Sequence, residues 1–299
     1  MKRVKSTIPV LDICSLSGTD QLSSELIAEP FARYLLAHSN LHFPHRHSFY
    51  HMVLFTKGGG THSIDFQQFR VAPGQMYFMK PGQAHRWNFQ GKTDGYVINF
   101  SEHLFNGFLA DGNYLEQFPF LQGVAEEGVI NLGPAAYKEA RAIAEKVVVE
   151  AHQPGTKGLD LIRTSLLQLF ITVNRSVSDG SHDAGKPQTQ ILLHNFRKLV
   201  DAHYAEKRLP KEYAALLYIT PNHLNAMCKD LLGKSAGEVI RDRILLEAKR
   251  LLINADLSIS RIASELNFTD NSHFTRFFKK HTNGTPEEFR RNPSVKPKS

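Results

Sequence analysis

Tyr213-Ala-Ala-Leu-Leu-Tyr-Ile-Thr-Pro-Asn-His-Leu-Asn-Ala-Met-Cys-Lys229 and Ile262-Ala-Ser-Glu-Leu-Asn-Phe-Thr-Asp-Asn-Ser-His-Phe-Thr-Arg-Phe-Phe-Lys279 are two versions of one pattern. His223, Leu224, Met227 and Lys229 of the first align with His273, Phe274, Phe277 and Lys279 of the second. Self-similarity at a fixed spacing marks a repeated structural unit. Each copy runs from a short apolar-faced segment through a turn to an N-cap candidate, Thr220 before Pro221 and Asp270 before Asn271, and then a second periodic segment. The pattern predicts two helix-turn-helix units, over about 209–232 and 258–282.

At 3.6 residues per turn the second helix of each copy divides into two faces. Leu224, Met227, Cys228 and Leu231 face a core in the first, as Phe274, Phe277 and Phe278 do in the second. The opposite faces carry Asn222, Asn225, Ala226 and Lys229, then Asn271, Ser272, Thr275, Arg276, Lys279 and Lys280. Asn can bond adenine and Arg guanine through two hydrogen bonds each, while Lys generally meets phosphate. Between the copies, residues 236–254 read as a helix with an apolar stripe at Val239, Ile240, Ile244, Ala248, Leu251 and Leu252. Its length, roughly 28 Å at 1.5 Å per residue, suits two recognition helices in successive major grooves, roughly 34 Å apart. Charge supports the reading. Residues 190–299 hold 19 Lys and Arg against 12 Asp and Glu, whereas residues 1–189 hold 17 of each, so the whole excess of +7 lies in the last third. A polyanionic partner for that third follows, because neutralised phosphates release counterions.

Upstream the character is different. Residues 41–100 carry 12 aromatics, punctuated by turn signals at residues 57–60, 72–74, 80–82 and 90–92. Residues 49–55, 61–69, 75–79 and 96–100 read as short strands of an antiparallel barrel or sandwich. Residues 135–152 then read as a helix, and Leu159, Ile162, Leu166, Leu169 and Val173 recur at steps of three and four. That seam spacing fits either a dimer contact or a cover for the barrel's own flank. Residues 176–190 lack apolar periodicity and concentrate Ser, Asp, Gly and Pro, the composition of a linker. The expected organisation is a sensing barrel over 1–132, a helical dimerisation region over 133–177, a linker over 178–189 and a DNA-binding domain over 190–299.

The carboxy-terminal residues resemble the AraC/XylS family of transcription regulators over about 191–291. The marks are Arg243-Ile-Leu-Leu-Glu-Ala-Lys-Arg-Leu-Leu252, Ser258-Ile-Ser-Arg-Ile-Ala-Ser-Glu-Leu-Asn-Phe268, Phe274-Thr-Arg-Phe-Phe-Lys-Lys280 and Gly284-Thr-Pro-Glu-Glu-Phe-Arg290. The resemblance implies promoter DNA, a small-molecule effector and RNA polymerase as partners, with a homodimer as the working form. Relatives usually have a glycine in each turn, where Tyr218 and Asn267 stand here. Tyrosine adopts positive φ reluctantly, so a first turn of different shape is expected.

His45-Arg-His-Ser-Phe-Tyr-His51 and Pro81-Gly-Gln-Ala-His-Arg-Trp-Asn88 resemble the two halves of a cupin motif. In a continuous strand His45, His47, Phe49 and His51 share one face. An effector pocket is expected at His45, Arg46, His47, His85, Trp87 and Tyr96, with Arg46 or Arg86 clamping a carboxylate. Metallocupins generally place a glutamate where His51 stands, and regulators of this family usually keep the barrel without its metal. His45, His47, His51 and His85 are the alternative reading, as ligands of a divalent ion; no cofactor is the expectation. A metallocupin enzyme fused to a DNA-binding module, and an architectural DNA binder without effector, are the competing functions. Cys14 and Cys228 have no disulfide or zinc spacing and are expected to be buried thiols. No stretch approaches the length of a membrane span or a secretory signal, so a cytoplasmic protein with no membrane partner and no catalytic residues is expected. The fold class expected is α+β and multidomain: a cupin-like antiparallel β-barrel with flanking helices, then an all-α domain whose two helix-turn-helix units are joined by a linker helix.

Overall fold

The computed structural model describes residues 9–16, 25–38, 41, 43–178, 187–254 and 256–291. These fall into two compact units, residues 9–178 and residues 187–291. Most of the linker expected at 178–189 lies outside the described residues, although Pro187 already starts a helix.

In the first unit the strands are β1 (Val10–Leu11), β2 (Leu26–Pro30), β3 (His45–His47), β4 (Tyr50–Lys57), β5 (Gly60–Ile64), β6 (Gln67–Arg70), β7 (Gln75–Met79), β8 (Ala84–Phe89), β9 (Asp94–Phe100) and β10 (Val129–Asn131). They make two five-stranded sheets, ordered β1-β3-β8-β5-β6 and β10-β7-β4-β9-β2. Pairing is antiparallel except between β1 and β3. The sheets face each other across a shared core but stay open at their edges among the described residues, so the expected barrel is an open double sheet. Residues 61–69 are a hairpin, not one strand. Asp65 and Phe66 both take positive φ, 47° and 73°, in a two-residue turn that pairs Ile64 with Gln67.

Period-two alternation sorts the side chains. Val53, Phe55, Tyr77, Met79 and Val97 point between the sheets with Ile64 and Trp87, while Met52, Leu54, Met76, Phe78, Ile98 and Phe100 point the other way. The second group is covered by α3 (Pro134–His152) and α4 (Gly158–Ser178). Of the stripe that suggested a dimer seam, Ile162, Leu166, Leu169 and Val173 are wholly buried in this cluster and Leu159 packs against it partly buried. They cover the flank of their own sheet, because an apolar sheet face needs a second layer. Two short helices, α1 (Ile13–Leu16) and α2 (Phe31–Ala37), cap the other side. Cys14 on α1 is exposed, against expectation, because its neighbour Ile13 is the residue that turns inward; Cys228 is buried.

The second unit is helical: α5 (Pro187–His203), α6 (Pro210–Leu216), α7 (Pro221–Leu232), α8 (Ala236–Leu252), α9 (Ile259–Glu265), α10 (Asn271–Thr282) and α11 (Pro286–Arg291). Leu193, Phe196 and Val200 of α5 enter the core with Tyr213, Leu224, Met227, Cys228, Ile240 and Ile244. The linker helix α8 starts at a capping box, in which Ser235 accepts from the Glu238 backbone and the Glu238 carboxylate accepts in return. It spans 17 residues, shorter than expected.

Candidate nucleic-acid interface and sensor interior

The two helix-turn-helix units repeat bond for bond. At the first turn Tyr218 has φ 55° and the Ile219 N–H donates to Ala214 O; at the second Asn267 has φ 54° and the Phe268 N–H donates to Ala263 O. The expected difference in turn shape is therefore absent. The backbone bonds hold Tyr218 left-handed despite its Cβ, and with its ring 96% exposed nothing around it opposes that conformation. Each second helix is then capped by a side chain, Thr220 accepting from the His223 N–H and Asp270 from the His273 N–H. Each ends left-handed, at Gly233 (φ 65°) and Asn283 (φ 64°), whose N–H groups donate to Lys229 O and Lys279 O. Arg208 joins the units: its guanidinium donates to Leu266 O and Asn267 O in the second turn and lies 4.0 Å from the Phe268 ring centroid.

On α7 and α10 the apolar positions are inward as expected. Leu224, Met227, Cys228, Phe274 and Phe278 are buried, and Leu231 and Phe277 are partly so. Asn222, Ala226 and Lys229 are exposed, as are Asn271, Ser272, Arg276, Lys279 and Lys280. Asn225 and Thr275, equivalent positions, are half-buried. The Asn225 Oδ1 accepts from the Ala236 N–H at 3.1 Å and so helps to start α8, which leaves its Nδ2 as the donor available on that side chain. Asn271 donates through Nδ2 to Ser260 Oγ at 2.7 Å, tying α10 to α9. Among the described residues Lys229, Arg276, Lys279 and Lys280 make no ion pair within 4.0 Å, whereas Arg243, Arg250 and Arg261 do. His223 and His273 are also exposed, in the first turn of each second helix, where sequence reasoning did not place a contact. Their identity across the repeat was the signal for them, because residues at a recognition helix's N-terminal end are those that reach base edges.

In the first unit the structure brings His45, His47, His51, His85 and Trp87 together between the sheets, none more than 3% exposed. They do not share a strand. The chain crosses from β3 in one sheet to β4 in the other at Ser48 and Phe49, so His51 meets His47 and His85 across the core, with ring centroids 5.0 and 5.3 Å apart. A fifth imidazole, His62 on β5, is equally buried and lay outside both motif halves, which is why sequence reading missed it. Arg46, Arg86 and Tyr96 are not in this group. Alternation turns Arg46 and Arg86 to the far face of their sheet, and Tyr96 packs on the helix-covered side. Neither Arg46 nor Arg86 therefore faces the rings.

Hydrogen bonds order the imidazoles. His45 Nδ1 lies 2.8 Å from Phe43 O, which can only accept, so Nδ1 carries the proton and Nε2 is a lone pair. His51 Nδ1 lies 2.7 Å from Asn99 Oδ1, whose Nδ2 reaches the Tyr34 hydroxyl at 3.3 Å, so His51 Nε2 is also a lone pair. His62 Nε2 is 2.9 Å from His85 Nδ1, and His85 Nε2 is 2.8 Å from His47 Nε2. His45 Nε2, His51 Nε2, His47 Nδ1 and His62 Nδ1 are buried with no protein partner. A buried unpaired polar atom costs about 1–3 kcal/mol. Burial lowers the pKa of all five rings, that of His51 to about 3; neighbouring imidazoles lower His47, His62 and His85 further. The five rings are neutral at pH 7.

Residues 32–171 match the AraC-like ligand binding domain and residues 213–292 a helix-turn-helix domain. The chain is 20% identical over 249 residues to the HTH-type transcriptional activator RhaR of Yersinia pseudotuberculosis, covering 82% of this chain and 83% of the relative. It is 47% identical over 73 residues to the protein named "Probable transcription factor PqrA" of Proteus vulgaris, covering 24% of this chain and 60% of the relative. A solved structure of ToxT from Vibrio cholerae is similar over 89% of this chain and 98% of its own, at 12% identity and a TM-score of 0.42. With a ligand-binding unit and a twinned helix-turn-helix unit in one chain, this protein belongs to the AraC/XylS family of transcription regulators and is an effector-responsive, sequence-specific DNA-binding protein.

Proposed function

We propose that this chain acts in the cytoplasm as a homodimeric, non-enzymatic activator. In this reading α10 reads base edges while α7 chiefly positions the protein on the duplex, and bound promoter DNA is presented to RNA polymerase. The observation that carries the division of labour is the exposed cationic ridge on α10. Arg276, Lys279 and Lys280 stand exposed beside Ser272 and His273, whereas the equivalent positions on α7 hold Ala226, Lys229 and Asp230. Arginine can bond guanine through two hydrogen bonds, and alanine offers none. Residues 1–132 are assigned to effector sensing, 133–177 to the helices flanking it, 178–189 to the linker and 190–299 to DNA binding. With the α4 stripe buried, dimer contacts on these helices fall to exposed residues such as Val149, Leu161 and Val177.

The test uses genomic fragments that co-purify with the protein as a source of operator. Arg276→Ala should weaken operator binding by about 1–3 kcal/mol and relax base preference, while Lys279→Ala should weaken operator and random duplex alike. Equal losses on both DNAs for Arg276→Ala would refute the assignment of readout to α10.

A further inference from the structure

The interior of the sensing unit is chemically unusual. Five imidazoles sit between two sheets among mostly apolar side chains, and four of their ring nitrogens are buried without a protein partner. One nitrogen from each of His45, His47 and His85 comes within 4.8 Å of the others, and all three side chains are buried. His47 Nε2 and His85 Nε2 approach to 2.8 Å. Two ligand nitrogens on one ion at about 2.1 Å stand roughly 3.0–3.4 Å apart, so a small opening of this pair accommodates a cation between them.

The outer nitrogens of His45, His51 and His85 are arranged as ligands require, while His47 Nδ1 has no protein partner. A metal-bound histidine typically donates its other ring N–H to a carbonyl or similar acceptor, which fixes the tautomer and aims the lone pair. His45 does this to Phe43 O, His51 to Asn99 Oδ1, and His85 has His62 Nε2 in position to accept. These contacts leave lone pairs on His45 Nε2 and His51 Nε2 with no protein partner. The donor set contains no carboxylate. Hard cations such as Mg²⁺ and Ca²⁺ favour oxygen, whereas imidazole suits zinc, copper, nickel and iron.

We propose that the sensor interior binds one divalent transition-metal ion of the zinc, nickel or copper class through Nε2 of His45, His47 and His85, with His51 Nε2 as fourth donor. His62 is a positioning residue that orients His85 through Nδ1. This rests on the reading of the unit as the sensor and names its effector: the ion itself draws β3 and β8 of one sheet towards β4 of the other.

Tag-free full-length protein, stripped with chelator, is titrated with Co²⁺ as a spectroscopic probe, and operator affinity is measured with and without the ion. One equivalent should bind with the visible absorption of a nitrogen-ligated Co²⁺ site, Mg²⁺ should not displace it, and operator affinity should change on binding. His47→Asn with His85→Gln should weaken binding at least 100-fold, and His62→Leu about 10- to 100-fold, the usual effect of losing an outer partner. Should the double variant fail to fold, X-ray absorption of the Co²⁺-loaded wild type must show at least three imidazoles on the ion. No saturable uptake, uptake unchanged in a folded double variant, or fewer than three imidazoles would overturn the site. Uptake that leaves operator affinity unchanged would overturn the effector assignment. Absence of any operator binding, with or without the ion, would instead sink the regulatory reading.

Discussion

Arg208 is the residue on which the pairing of the two helix-turn-helix units most visibly depends. It precedes α6 of the first unit, and its guanidinium donates to Leu266 O and Asn267 O in the turn of the second. Hydrogen bonds from a charged donor contribute about 1.5–3 kcal/mol each when buried. Arg208 is only half-buried, so the lower bound halved, about 0.75 kcal/mol per bond, is the appropriate figure after solvent screening. Stacking on Phe268 at 4.0 Å adds about 0.5–1 kcal/mol. Arg208→Ala should therefore cost about 2 kcal/mol, and with a urea dependence of about 1.5 kcal/mol per M the midpoint falls by about 1.3 M. The chain supplies an internal control, because its single tryptophan, Trp87, lies in the sensing unit. Helical ellipticity at 222 nm should shift while Trp87 emission does not. Arg208→Lys should recover less than half, since an ammonium cannot span two carbonyls and lie flat on a ring. Coincident shifts in both signals, or no shift in either, would refute the role of Arg208 as the clasp between units.

Two further outcomes follow from strain and burial. Tyr218→Gly should stabilise the helical unit by about 0.5–1 kcal/mol, because the relief of a left-handed tyrosine exceeds the entropy that glycine adds to the unfolded chain; a lower urea midpoint would show that the exposed ring has a partner within the fold. In metal-free protein the five interior histidines have depressed pKa values. Above pH 6.5 both states are neutral and stability is full. Below it the unfolded chain binds protons that the folded interior refuses, and stability is lost progressively towards the folded value, about 3 for His51. His51 alone costs about 1.4 kcal/mol by pH 5.5, and the other four rings add in the same direction, so unfolding followed by Trp87 emission should occur at lower urea there than at pH 7.5. Equal midpoints would mean that the rings are already protonated or solvated.

The helical unit was legible because its signals are local. Caps at Thr220 and Asp270, apolar spacing at Leu224 and Phe274, and the duplicated turn all lie within a few residues of one another. What the helical sequence did not show was a tertiary bond: the Asn225 Oδ1 accepts from the Ala236 N–H eleven residues on. The sensing unit depended on non-local pairing. Nothing near His62 announces that β5 will lie beside β8, so its bond to His85 was invisible. Tyr96 was placed among the histidines for its chemistry, yet its register in β9 turns it to the opposite face, since a shift of one residue exchanges the faces of a strand. The hairpin at Asp65 and Phe66 was hidden because a phenylalanine stands where glycine usually supplies positive φ.

Twin capped helices presenting an exposed cationic face call for binding dominated by phosphate. The most direct measurement is the affinity of the full-length protein for duplex DNA as salt is varied, on co-purified operator and on random sequence. Lys229, Lys279 and Lys280 alone set a slope of log affinity against log salt of roughly −2.7. The expected result is that slope on both DNAs with tighter binding to operator, and a shallower slope once Lys279 and Lys280 are replaced by alanine. Affinity that ignores salt, or no affinity for any duplex, would contradict the gripping role of α7 and α10.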